Sequence, residues 1–118
     1  MRFEITKSFR FEACHSLDHL PEGHQCKRMH GHSYEIVVGV TGDLVPGLDW
    51  VQDYAVISAY VRPLIDMLDH RNLNDIMTEK TTAENLALWF WERLAIGLPL
   101  LSLIEVRETP TSNVILTK

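Results

Sequence analysis

The chain has 118 residues, a length suited to one domain around one core. Charged residues make up 23% and apolar residues 46%, ordinary for a globular chain, and the net charge of −5 argues against a nucleic-acid binder, which needs a basic face. That charge still allows an anionic small molecule held by a few local cations. No run approaches the ~18 apolar residues of a membrane helix. The opening Met1-Arg2-Phe3-Glu4 lacks the apolar stretch of a signal peptide, and two cysteines without such a leader read as free thiols in a cytoplasmic protein.

The first element is a strand over residues 3–17. Its odd positions run Phe3, Ile5, Lys7, Phe9, Phe11, Ala13, His15 and Leu17, a mostly apolar face that carries His15 inward, while Cys14 faces away. A polar loop over 18–25 ends at Cys26. A second strand over about 29–41 places His30, His32, Tyr34, Ile36, Val38 and Val40 on one face. The two histidines flank a single glycine, so their rings lie side by side, and the two strands can pair antiparallel. Turn signals at Gly42-Asp43 and Pro46-Gly47 lead to a helix over 53–68, striped by Val56, Ile57, Tyr60, Val61, Leu64, Ile65 and Leu68. Pro63 is expected to kink or divide it. After a connection over 69–81, Thr81-x-x-Glu84 forms a capping box for a second helix. Leu86, Phe90 and Leu94 are its stripe, and Gly97 and Pro99 stop it. Strands over about 101–108 and 113–117 close the chain around Pro110. The order ββααββ defines an α+β domain: a four-stranded antiparallel sheet with two helices on one face.

His15, His30 and His32 therefore converge on core-facing positions. Burying three imidazoles with nothing to satisfy them is costly, and a metal ion removes that cost. Imidazole ligands favour zinc, and three histidines leave a tetrahedral ion one open position, as in catalytic sites. Cys26 admits three roles: a fourth ligand, an inert thiol, or a base or nucleophile beside the metal. Asp69-His70, at the end of the first helix, is either a partner of the helix dipole or a proton-relay pair. Glu108 shares parity with Ile104 and Val106 and so faces inward, where it pairs with Arg107 or another cation, or receives paired N–H groups of a ligand. Trp50 and Tyr54 are expected to pack in the core.

Several segments, in order, resemble one family. They are Phe11-Glu12-Ala13-Cys14-His15, Pro21-Glu22-Gly23-His24-Gln25-Cys26, His30-Gly31-His32-Ser33-Tyr34, Asp53-Tyr54, Leu68-Asp69-His70-Arg71-Asn72-Leu73-Asn74, Thr81-Thr82-Ala83-Glu84-Asn85 and Val106-Arg107-Glu108-Thr109. Together they resemble the 6-pyruvoyltetrahydropterin synthase superfamily, and within it the 6-carboxytetrahydropterin synthases of the queuosine pathway. The resemblance implies zinc held by His15, His30 and His32, with Cys26 as catalytic base. It assigns proton relay to His70 supported by Asp69, pterin anchoring to Glu108, and pterin contacts to Thr81 and Thr82. It further implies the tunnelling fold, a homohexamer built as a dimer of trimers, and sites between subunits. The implied substrate is 7,8-dihydroneopterin triphosphate, converted to 6-carboxy-5,6,7,8-tetrahydropterin, acetaldehyde and triphosphate without an organic cofactor.

Three residues separate Cys26 from His30, a gap that resembles the carboxy-forming branch, whereas pyruvoyl-forming relatives tend to a longer one. The competing readings are a 6-pyruvoyltetrahydropterin synthase, which eliminates triphosphate but keeps the side chain, and a non-catalytic zinc- or pterin-binding module. Lys27 and Arg28 are candidate phosphate contacts or solvated charges. His19 and His24 are expected to be exposed loop residues.

Overall fold

The computed structural model describes residues 1–118. Two long strands, β1 (Phe3–His15) and β2 (His30–Gly42), pair antiparallel along their whole length, from Phe3 opposite Gly42 to His15 opposite His30. Helix α1 (Tyr54–Leu68) follows, then a two-residue strand β3 (Arg71–Asn72), helix α2 (Ala83–Leu94), and the hairpin strands β4 (Leu101–Thr109) and β5 (Ser112–Thr117). The sheet has five strands in the order β3-β1-β2-β4-β5.

The fifth strand corrects the four-stranded expectation. β3 runs parallel to β1, with Arg71 opposite Ala13 and Asn72 opposite Cys14. Two residues cannot show a period, so nothing in the hydrophobic pattern marks them as a strand. They are held from outside the pattern: Asp69 Oδ1 accepts from the Glu12 N–H at 2.9 Å, and the His70 N–H donates to Glu12 O at 2.6 Å.

Both helices cover one face of the sheet, α1 over β1 and α2 over β4 and β5. Phe9, Phe11, Tyr34, Ile36, Val38, Ile104 and Val106 project into that layer and are at most 2% exposed. From α2 the stripe Leu86, Phe90 and Leu94 is completely buried, each side chain contributing about 1.5–3 kcal/mol of burial free energy. The α1 stripe is narrower than its periodicity predicts. Ile57, Val61, Ile65 and Leu68 are buried, while Val56 and Tyr60 remain exposed.

Asp53 caps α1 by accepting from the Ala55 N–H at 2.8 Å. Of the kink or division expected at Pro63, division does not occur: the helix runs from Tyr54 to Leu68 as one element. The Pro63 ring and Ala59, whose carbonyl loses its usual donor, both face solvent, so water can supply the missing bond. The α2 cap is also displaced by one residue. Thr82, not Thr81, is the N-cap, accepting from the Asn85 N–H at 3.2 Å. No helix is long and apolar enough to cross a membrane.

Candidate active site

The site forms where the helix-facing parities of β1 and β2 run out together. His15 lies opposite His30 and Ala13 opposite His32, so the three imidazoles point into one corner beneath α2's N-terminus. Their ring centroids are 4.5, 4.9 and 5.2 Å apart. His15 Nδ1 lies 2.8 Å from Thr81 O, and His30 Nδ1 lies 2.7 Å from Arg28 O. A carbonyl only accepts, so both Nδ1 atoms carry the proton, and the neutral ring keeps its lone pair on Nε2. His15 Nε2 and His32 Nε2 are buried without a hydrogen-bond partner.

One ligand atom from each histidine lies within 4.8 Å of the other two. Burial depresses the pKa of His15, reinforced by the neighbouring His30 and His32 charges against the raising effect of the Thr81 carbonyl. Burial, then His30, does the same for His32. Neutral rings with orphaned, converging lone pairs are the form a metal ion takes, and the donor set fits a cation with three imidazole ligands.

Beside these rings is a cavity of about 510 Å³, walled by His15, Leu17, Gln25, Cys26, His30, His32, Glu108, Thr109 and Ser112. Cys26 reaches it from a short 3₁₀ turn, Gln25–Lys27, whose position is fixed by backbone and ring. The Leu17 N–H donates to Cys26 O at 2.9 Å, and the Cys26 N–H donates to His24 Nδ1 at 3.1 Å. His24 is thus an exposed loop histidine that shapes the thiol's turn. Cys26 is half-buried and unpaired, and it stands outside the group of converging ligand atoms. Cys14, on the opposite parity, is also a free thiol.

Glu108 faces inward as parity predicts, its Oε2 3.5 Å from His32 Nε2. Arg107 is not its partner. That guanidinium bonds Glu105 at 2.6 Å on the other face of the sheet. Burial raises the Glu108 pKa, His30 pulls it down, and Glu84 pushes it up again. The result is an inward carboxyl with no lysine or arginine partner and only the histidine rings beside it, at the wall of the cavity.

Asp69 and His70 do not join this group. His70 lines a second pocket of about 480 Å³ with Glu12, Cys14, Ser33 and Arg71, and His32 borders both this pocket and the cavity that holds Cys26. His70 Nδ1 is 3.0 Å from Asp69 Oδ1, and the His70 side chain is 78% exposed. His70 also has φ +58°, a left-handed conformation that is costly for a non-glycine residue. The Glu12 N–H, then His70, holds the Asp69 carboxyl below the usual carboxylate range. Thr81 and Thr82 do not wall the metal-side cavity. Thr81 is 2% exposed under the His15 ring, and Thr82 is occupied as the helix cap. Trp50 and Tyr54 are not core residues: at 42% and 50% exposure they line an apolar recess with Phe3, Ile5 and Leu44 at the far end of the sheet.

A two-helix layer over one face of a five-stranded sheet, with three histidines gathered at one end, defines an α+β domain with a candidate metal centre. The structure of Caenorhabditis elegans 6-pyruvoyl tetrahydropterin synthase matches it with a TM-score of 0.90, covering 100% of this chain and 96% of that one at 24% identity, a likeness of fold. Residues 4–118 match the 6-pyruvoyl tetrahydropterin synthase family, and the chain belongs to it. It is 41% identical over 115 residues to the 6-carboxy-5,6,7,8-tetrahydropterin synthase of Synechocystis, covering 92% of this chain and 88% of that protein. It is 35% identical over 99 residues to the dihydroneopterin monophosphate aldolase of Pyrococcus furiosus, covering 84% and 81%.

Proposed function

We propose that the chain is a zinc-dependent lyase of the queuosine pathway. It converts 7,8-dihydroneopterin triphosphate and one water to 6-carboxy-5,6,7,8-tetrahydropterin, with acetaldehyde and triphosphate as co-products. The observation that carries this reading is the cavity lined together by three converging histidines, the Cys26 thiol and the inward Glu108 carboxyl. The Synechocystis relative bears the name of that activity, and the short spacing from Cys26 to His30 supports the same branch.

His15, His30 and His32 would hold the zinc ion through Nε2. When bound, it supplies Lewis acidity toward the substrate's side-chain hydroxyls. Cys26 accepts a proton from the carbon side chain. Glu108 accepts hydrogen bonds from paired pterin N–H groups and fixes the ring against the histidines. His70, oriented by Asp69, relays protons as the double bonds rearrange. Its exposure, and its absence from the wall that carries Cys26, favour a site completed by a neighbouring copy, in keeping with a homohexamer whose sites lie between subunits. Two free thiols are in keeping with a cytoplasmic location.

The deciding experiment feeds the zinc-loaded protein dihydroneopterin triphosphate and, separately, dihydroneopterin monophosphate. Products are read by mass spectrometry with an acetaldehyde assay. The carboxy product with acetaldehyde is expected. A pyruvoyl product without acetaldehyde assigns the other branch. Cleavage of the monophosphate alone assigns the activity for which the Pyrococcus relative is named. Stoichiometric zinc with no turnover of either leaves a binding module.

A further inference from the structure

The ring of His15 is held by more than its backbone. Asn74 grips the next residue, Ser16, at two points: Nδ2 donates to Ser16 O at 2.9 Å, and Oδ1 accepts from the Ser16 N–H at 2.9 Å. This side-chain amide acts as one further rung of strand pairing, beyond the two-residue β3. Asn74 is itself fixed in a 3₁₀ turn, Leu73–Asp75, where its N–H donates to Asn72 Oδ1 at 3.0 Å. Above it, Thr81 Oγ1 lies 3.2 Å from His15 Nδ1 and 3.4 Å from both Ser16 O and Asn74 Oδ1. His15, Ser16 and Thr81 are 0%, 7% and 2% exposed, so water does not substitute for these bonds.

The Nδ1 proton of His15 therefore sits between two oxygens of one residue, the Thr81 carbonyl and its hydroxyl. The opposite tautomer would turn a lone pair toward the Thr81 carbonyl, and a flipped ring would turn a C–H toward it; either forfeits the buried 2.8 Å hydrogen bond. We infer that Asn74 and Thr81 are positioning residues for His15: together they lock its ring in the tautomer and orientation that present Nε2 to a metal ion. The inference rests on the metal reading above, but its tautomer arm does not require metal. Groups that orient ligand histidines change metal affinity by about 10–100-fold when removed.

The test measures zinc dissociation constants by chelator competition for the wild type, Asn74→Ala, Thr81→Val and Thr81→Ser, beside the thermal midpoint of each metal-free protein. Asn74→Ala and Thr81→Val are expected to weaken zinc binding by about 10–100-fold, with Thr81→Ser close to wild type because it keeps the hydroxyl. Leu73→Ala, a buried apolar truncation in the same segment, is expected to lower the thermal midpoint and leave zinc affinity unchanged. Unchanged affinity in both Asn74→Ala and Thr81→Val overturns the inference. Should Asn74→Ala fail to fold, the Val and Ser pair at Thr81 decides. Nitrogen-15 spectra of labelled histidine in the metal-free wild type probe the tautomer directly: the His15 proton is expected on Nδ1, and a proton on Nε2 overturns the inference. Wild-type protein that takes up no zinc overturns the metal reading itself, while the tautomer still judges the positioning.

Discussion

The two ends of the β1–β2 ladder break the inside-out rule in opposite directions. At the His15 end, three polar rings occupy core-facing positions and His15 is completely buried. At the Phe3 end, apolar side chains stay at the surface: Phe3 is 49% exposed, and a recess of about 360 Å³ opens between it, Leu44, Trp50 and Tyr54. Alternation assigns a residue to a face, but burial needs something to cover that face. Thr81, just before α2, covers His15, whereas the 43–53 connection covers the far end only in part. The covered polar end is where chemistry belongs, because buried neutral imidazoles keep their lone pairs free.

Four substitutions break or sharpen that contrast. The largest effect is expected from His30→Ala, which removes one of the three converging ligands. Stoichiometric zinc should be lost by elemental analysis, and with it the stabilisation of about 2.7 kcal/mol that zinc at a hundred times its dissociation constant gives the wild type. Full zinc occupancy in this variant would place the metal elsewhere. Cys26→Ala should keep its zinc while turnover falls by about 10²–10⁴-fold. Metal loss instead would make the thiol a ligand.

Trp50→Ala acts at the opposite end. It should cost about 1 kcal/mol in denaturant unfolding, with zinc affinity and turnover per folded chain unchanged. A parallel fall in zinc affinity would show that the two ends are coupled. Asp69→Asn keeps an acceptor for the Glu12 N–H and removes only the charge, so its effect is the smallest. The Asp69 pKa is depressed in the folded chain. Its contribution is therefore fully present above the unfolded carboxylate value of about 3.9 and is lost as pH falls through the lower folded value. The stability gap between wild type and variant should be flat near neutrality and shrink in acid; a gap that widens in acid would reverse the assignment.

Much of the site is legible in the chain because parity survives in long strands. His15 follows Phe9 and Phe11 at intervals of two, His30 and His32 lead into Tyr34 and Ile36, and Glu108 follows Val106, so each could be assigned a face from its neighbours alone. Features set by tertiary bonds are not legible. β3 exists because the Asp69 carboxylate, Arg71-Asn72 and the Asn74 amide all attach to β1, and none of these bonds leaves a period. Thr81 and Thr82 are equally good caps by type; the neighbouring His15 ring decides between them by taking Thr81. Trp50 and Tyr54 look like core residues until the shape of the 43–53 connection is known. Whether His70 meets Cys26 is a question about assembly, which a single chain's pattern does not contain.

The attachment of the 69–74 segment to β1 has a consequence for length. Asp69 engages Glu12, Arg71 and Asn72 lie opposite Ala13 and Cys14, and Asn74 engages Ser16, so the two stretches advance together along the same short distance. One residue added or removed between Asp69 and Asn74 would slide this scale by a notch. Either the His70 turn or the clamp beside His15 would then fall out of step. Past Asp75 no such matching applies until Thr81. The chain can thus absorb insertions over the exposed residues 78–80 more readily than over 70–73, where the backbone serves as a measuring edge laid against β1.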